Sequence, residues 1–165
     1  MTLTIRPCTP ADVGPLTDLL LPVFRTGDTY AVDPAIARAA AVAFWTGSGK
    51  SVFVAVDRGR VLGTYYIRPN QGGGGAHVCN CGYITAAQAR GRGVARAMLA
   101  HSLREARSAG YRAMQFNFVV ATNTRAIDLW ERAGFHTVGR LPGAFDHPAL
   151  GPVDALIMWK DLVDD

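Results

Sequence analysis

A mixed α/β (α+β) domain, with helices on the faces of one sheet, is predicted by three observations. Runs rich in β-branched and aromatic residues are interspersed with stretches of helical spacing. In the second half of the chain each helical stretch is flanked by β-rich runs, the order that packs helices onto a sheet. At 165 residues, 49% apolar and 18% charged, the chain has the size of one domain spanning residues 1 to 165. The predicted order is β-α-α-β-β-β-α-β-α-β-β, a sheet of about seven strands with about four helices.

Residues 2 to 6 alternate weakly and meet Pro7. Thr9-Pro10-Ala11-Asp12 then reads as a helix start, with threonine as cap and proline at the first helical position, and the helix runs to about residue 24. Gly27-Asp28-Thr29-Tyr30 breaks the chain, and Asp33-Pro34 opens an alanine-rich helix that ends near Trp45-Thr46-Gly47. Residues 52 to 56 and 61 to 67 are β-rich on either side of Asp57-Arg58-Gly59-Arg60, which predicts an antiparallel hairpin. Pro69 and the glycines 72 to 75 end it in a loop tip. A strand follows at 78 to 84. Residues 90 to 108 carry Val94, Met98, Leu99 and Leu103 at helical spacing and stop before Gly110. A strand at 112 to 120 puts Met114, Phe116 and Phe118 on one face. A helix at 122 to 133 has Gly134 in the C′ position, and strands at 135 to 141 and 153 to 160 close the chain. Beyond them only Asp164-Asp165 reads as a tail.

Several function classes are excluded by composition. The longest apolar run, 39 to 45, is far short of the roughly 20 residues that span a bilayer. The start, Met1-Thr2-Leu3-Thr4-Ile5-Arg6, has no basic and apolar leader, so a cytoplasmic location is the expectation. Cys79-Asn80-Cys81 has the wrong spacing for a redox or zinc pair; its two thiols share a strand face and are expected to pack, reduced. The four histidines are scattered without an i,i+4 pair, so no metal is expected.

The net charge of +4 is concentrated. Between residues 86 and 112 six arginines (90, 92, 96, 104, 107 and 112) face one acid, Glu105. Such a block suits either nucleic acid or a phosphorylated small molecule, and here glycine rather than aromatic residues surrounds the arginines. Arg90-Gly91-Arg92-Gly93-Val94-Ala95 follows a strand and opens a helix. There glycine lets backbone approach an anion, and first-turn N–H groups at the positive end of the helix dipole can hold a diphosphate. A plain glycine-rich turn with solvated arginines fits the same residues. The segment is neither a GxxxxGK(S/T) loop nor a dinucleotide fingerprint.

A second motif decides between them. Asn123-Thr124-Arg125-Ala126-Ile127-Asp128-Leu129-Trp130-Glu131-Arg132-Ala133-Gly134-Phe135 lies downstream, and the two segments together resemble motifs A and B of the GNAT superfamily of N-acetyltransferases, (R/Q)xxGxG/A and NxxAxxLYxxxGF. The element order resembles that fold over nearly the whole chain. The resemblance implies acetyl-CoA as cosubstrate, its diphosphate held by Arg90, Gly91, Arg92, Gly93, Val94, Ala95 and Arg96. It also implies Asn123 near the pantetheine arm, a position that equally suits a helix cap. Trp130 stands where many relatives carry a tyrosine acid; an indole N–H donates a hydrogen bond but supplies no proton, and a core role fits it too.

A closer resemblance links Phe116-Asn117-Phe118-Val119-Val120, Leu129-Trp130, Gly139-Arg140-Leu141-Pro142 and Val153-Asp154-Ala155 to the fungal proline-analogue N-acetyltransferases, which act on azetidine-2-carboxylate and related imino acids. It implies catalytic asparagines at Asn80 and Asn117, which can hold a small amine or donate to the oxyanion; tying off strand ends is the other role open to them. Backbone N–H groups from Cys81 to Tyr83 can serve the oxyanion as well. The strand before motif A has no Asp or Glu to act as base. Asp28 and Tyr30, in the loop between the first helices, and Asp146 and His147, in the late loop, are candidates to line the acceptor site. The expected function is direct acetyl transfer to the amine of a small molecule, an amino acid or proline analogue leading. Alternatives are a polyamine, antibiotic or peptide N-terminus as acceptor, or a non-catalytic acyl-CoA sensor. A second copy of the chain is a partner by analogy alone; nucleic acid and membrane are not expected.

Overall fold

The computed structural model describes residues 2–163, so the expected tail at 164 and 165 lies outside the described residues. Its seven strands are β1 (Thr4–Pro7), β2 (Ser51–Asp57), β3 (Arg60–Pro69), β4 (Val78–Thr85), β5 (Ala113–Val120), β6 (His136–His147) and β7 (Gly151–Asp161). They form one sheet in the order β1-β2-β3-β4-β5-β7-β6. Every pairing is antiparallel except β4 with β5. The four helices are α1 (Val13–Thr26), α2 (Arg38–Thr46), α3 (Val94–Ser108) and α4 (Thr124–Arg132).

Alternation along β3 sorts the helices between the two faces, because adjacent strand residues point opposite ways. Tyr65 meets His101 of α3, its hydroxyl 2.5 Å from Nδ1. Tyr66 meets Trp45 of α2, ring centroids 4.9 Å apart. So α1 and α2 cover one face and α3 the other; α4 joins α3, its Trp130 against Tyr83, which in turn stacks on Tyr65. Trp45 is fully buried, and its Nε1 donates to Thr64 Oγ1 at 3.0 Å, which donates on to the Phe53 carbonyl at 2.8 Å. That relay satisfies the polar atoms that burial would otherwise penalise.

Several element boundaries differ from the sequence expectation, each for a physical reason. A short 3₁₀ turn at Pro10–Asp12 precedes α1. The second helix starts at Arg38, not at Asp33-Pro34: the Asp33 carboxylate turns back to the N–H of Ala35, and the carbonyls of Pro34 and Ile36 accept from Arg25. Those bonds favour a turn over a helical ladder in that segment. Likewise α3 begins at Val94 rather than residue 90, since Gly91 and Gly93 have φ of 75° and 79°, outside the helical region. The penultimate strand runs on to His147, so Asp146 and His147 lie within it, opposite Pro152 and Gly151, and not in a loop. Pro142-Gly143 is absorbed as an irregularity, fastened by the N–H of Gly143 and by Arg140, which both bond Asp154.

The entry to α1 is pinned by one carboxylate. Asp12 accepts from Arg6 NH1 and NH2 at 2.7 and 2.8 Å and from the N–H and hydroxyl of Thr9 at 2.8 Å each. The Arg6 guanidinium, helped by Thr9, holds this carboxyl well below the usual carboxylate range against the opposing effect of burial. A carboxyl with a depressed folded-state pKa contributes stability above its unfolded value near 4 and loses it as pH falls further. Asp12→Ala is therefore expected to cost about 2 kcal/mol at pH 7 in urea unfolding. The gap between wild type and variant should narrow below about pH 4.

Candidate active site

The centre of the sheet is where two strands part. β4 and β5 pair only at Val78 with Ala113 and at Cys79 with Met114. Beyond that they diverge, and the side chain of Asn80 takes over where the ladder stops: its Nδ2 donates to the Gln115 carbonyl at 2.9 Å. The ladder's next acceptor is thus satisfied by an amide from a side chain.

The parting leaves backbone donors facing open space. The Val78 carbonyl accepts from Asn70 on the β3 side, and the His77 carbonyl accepts from Arg112 on the β5 side. Strand residues alternate in edge, so Cys81 and Tyr83 direct their N–H groups toward β5, into the opening. The Tyr83 carbonyl accordingly accepts the Tyr30 hydroxyl there at 2.9 Å.

A cleft of about 280 Å³ fills the opening. One wall is β4 from Asn80 to Tyr83, with Tyr66 and Arg68 of β3 beyond it; the other is β5 from Phe116 to Val120; Tyr30, Asn123 and Trp130 also line it. Asn117 donates from Nδ2 to Asn70 Oδ1 at 2.7 Å and accepts from Gln115 Nε2 at 2.9 Å. Gly82 makes room for the Tyr66 ring, since a Cβ there would sit 2.6 Å from a ring carbon.

No carboxylate or imidazole lies among the described residues that line the cleft. Burial pushes the hydroxyls of Tyr30 and Tyr83 and the thiol of Cys81 well up. Burial also raises Tyr66, against the opposing charge of Arg68. These groups stay protonated at neutral pH and can donate hydrogen bonds; none takes a proton readily. Among the described residues no group of three or more His, Cys, Asp or Glu is placed to hold a metal ion, and no helix is long and apolar enough to cross a membrane.

Past the far end of β4, residues 90 to 96 make the turn into α3. Gly91 and Gly93 adopt left-handed φ with no heavy atom within 4 Å of where a Cβ would stand. Open space lies above them, so packing alone does not call for glycine there. The first-turn N–H groups of Val94, Ala95 and Arg96 have no intrahelical acceptor. Arg92 is tied to Asp57 at 3.3 Å, whereas Arg90 and Arg96 form no ion pair among the described residues. This donor set fits a diphosphate.

The candidate residues therefore form two groups. Asn80, Asn117, Asn123, Trp130 and Tyr30 meet at the cleft, and residues 90 to 96 form the turn. Asp28 is not among the cleft's lining residues. Asn123 occupies the cap position of α4 without a side-chain capping bond, so its amide is left to the cleft. Trp130 is 7% exposed, with Tyr83 and Phe116 at 4.9 and 5.0 Å, and is both core and wall. Two residues escaped the sequence reading. Spelling (R/Q)xxGxG backward from Gly91 and Gly93 puts the first position at Gln88, a signal that was there to count. Arg68 follows the β-rich run at 61 to 67 and shows its place only once β3 is registered against β4.

Because Gly82 abuts Tyr66, Gly82→Val is expected to displace that ring from Trp45. Urea unfolding should register a loss of about 1 to 3 kcal/mol, with a shift in tryptophan emission.

The geometry has known counterparts. The family model described as the acetyltransferase (GNAT) family matches residues 16–135. The N-acetyltransferase aca1 of Schizosaccharomyces pombe is 37% identical over 84 residues, 51% of this chain and 40% of that protein. The chain thus matches less than half the length of that curated relative. The structure of a GCN5-related N-acetyltransferase from Kribbella flavida is 39% identical and superposes with a TM-score of 0.91, covering 96% of this chain and 97% of the other. A phosphinothricin acetyltransferase from Sinorhizobium meliloti, solved with AcCoA, shares the fold at 22% identity, with a TM-score of 0.85 over 98% of this chain and 89% of its own. With parted strands, a glycine turn into α3 and a family match over most of its length, the chain belongs to the GNAT family of acetyltransferases.

Proposed function

We propose that the protein is an acetyl-CoA-dependent N-acetyltransferase acting on the amine of a small molecule. The observation that carries this reading is the opening between β4 and β5, with unspent N–H groups along one side and the anion-ready turn of α3 at its end. The donors of residues 90 to 96 fit the diphosphate, and Asn123 and Trp130 are within reach of the arm that would run into the cleft. When bound, acetyl-CoA supplies a thioester carbonyl that an amine can attack.

The chain's part is to orient and to stabilise charge. The amine forms a C–N bond to the carbonyl carbon, the C–S bond breaks, and the thiolate leaves with its electron pair. The N–H groups of Cys81 and Tyr83 are aimed to meet the negative charge that develops on the carbonyl oxygen. Asn80 and Asn117, fixed by their own hydrogen bonds, hold the acceptor between the strands. The amine's proton passes to water, since no lining group accepts it. Trp130 gives no proton either, so the thiolate leaves as such or is protonated by solvent. An amino acid or proline analogue is the acceptor we favour: the resemblance to proline-analogue acetyltransferases implies asparagines at 80 and 117, both line the cleft, and no acid among the described lining residues would draw a polyamine.

The test is to follow acetyl-CoA and acetylated product by mass spectrometry over amino acids, cyclic imino acids, polyamines and aminoglycosides. Turnover is expected, with Asn117→Ala lowering kcat/KM by about 10- to 100-fold while acetyl-CoA affinity is kept. Tight acetyl-CoA binding with no turnover on any amine would instead make the protein an acyl-CoA sensor. A second prediction concerns pH. Without a base in the cleft, kcat/KM should climb about tenfold per pH unit and level at the acceptor's own amine pKa. Two acceptors of different basicity should then level at different pH values, and a shared plateau would reveal a base on the protein.

A further inference from the structure

Among the described residues one buried side-chain nitrogen, Nε of Arg68, has no hydrogen-bond partner. Guanidinium has donors and no acceptor, so a buried N–H of this kind costs free energy until an acceptor arrives. Arg68 lines the cleft, paired across the ladder with Asn80. Alternation puts Arg68, Tyr66 and Asn70 on one face of the sheet together with Asn80. No carboxylate among the described residues lines the cleft to neutralise it. The other cation nearby is Lys50, whose ammonium lies 4.4 Å from the Tyr66 ring centroid. Burial and the charge of Arg68 together lower the pKa of Lys50, so the two cations feel one another. This end of the cleft is electropositive and short of an acceptor, and both wants are met by an anion.

The anion is not the diphosphate. Arg68 is level with Asn80, whereas the turn into α3 lies past Thr85, about 17 Å farther along β4. An anion beside Asn80 belongs to the acceptor.

We propose that Arg68 is the carboxylate receptor of the acceptor site. The acceptor is then an amino or imino acid whose carboxylate takes the guanidinium fork, with its nitrogen turned toward the parting of β4 and β5. A planar guanidinium matches a carboxylate with two parallel bonds, which fixes the acceptor's orientation as well as its affinity. The assignment rests on the acetyl-transfer reading above.

The experiment pairs α-amino acids and cyclic imino acids with their carboxamides, with spermidine as a cation control. Turnover is followed by mass spectrometry, and binding of the acids to the CoA-loaded protein by calorimetry. In wild type the acids should exceed their amides by about 30-fold or more in kcat/KM. Arg68→Gln should bring that ratio near unity by raising KM for the acids, with acetyl-CoA affinity and tryptophan emission unchanged as the checks on folding. Arg68→Lys, which keeps the charge but not the fork, should fall between. Amides used as well as acids, or a ratio that survives in a folded Arg68→Gln, overturns the proposal. Acids that bind wild type but not Arg68→Gln, without turnover on any amine, uphold the receptor and overturn acetyl transfer. Spermidine acetylated while no acid binds overturns the receptor and leaves acetyl transfer standing.

Discussion

The rest of the site depends on two adjacent strands that pair for a short distance and then stop. Backbone N–H and C=O groups inside a protein need partners, so a sheet that opens must supply substitutes. Here one substitute is the Asn80 amide on the Gln115 carbonyl, and another is the Tyr30 hydroxyl on the Tyr83 carbonyl. The N–H groups of Cys81 and Tyr83 are left over. They cannot collapse onto β5, because β5 is already held by β7 on its other edge and bends there through an irregular register. The opening is therefore a product of strand pairing on both sides of it.

Most of the architecture could be read from the chain, because its signals are local. The two-residue hairpin turn of Arg58 and Gly59, φ 49° and 76°, follows from a glycine between two β-rich runs. The stripe of Val94, Met98 and Leu99 fixed which side of α3 meets the sheet. Two of the misplaced boundaries depend also on partners outside their own segment. Nothing near Asp33 says that Arg25 will take the carbonyls of its loop, and Pro142 gives no hint that Asp154 will hold a strand together across it. Arg68 belongs to the same class. Its Nε has no hydrogen-bond partner among the described residues, a property that arises only when the strands around it are assembled.

Asn80 and Asn117 show how one residue type can meet a structural need and still present groups to a cleft. Each makes hydrogen bonds that any strand end would need, so the structural role is real. Yet Asn80 Oδ1 and part of the Asn117 amide remain beyond those bonds, at the surface of a cleft without acids. Structural bonding in this setting aims the groups that are left. Trp130 behaves alike: its ring is packed among Tyr83, Phe116 and Phe135, and the same packing makes it a firm wall.

The amides that run from Asn70 through Asn117 to Gln115 tie β3's end to β5 across the mouth of the cleft. Such a brace sets the gap's width before anything enters it. The entropy of ordering these side chains is spent when the chain folds, and a ligand arriving later meets a rigid frame. In such a frame little ordering remains to oppose binding, and a guest broader than the gap would have to break these bonds.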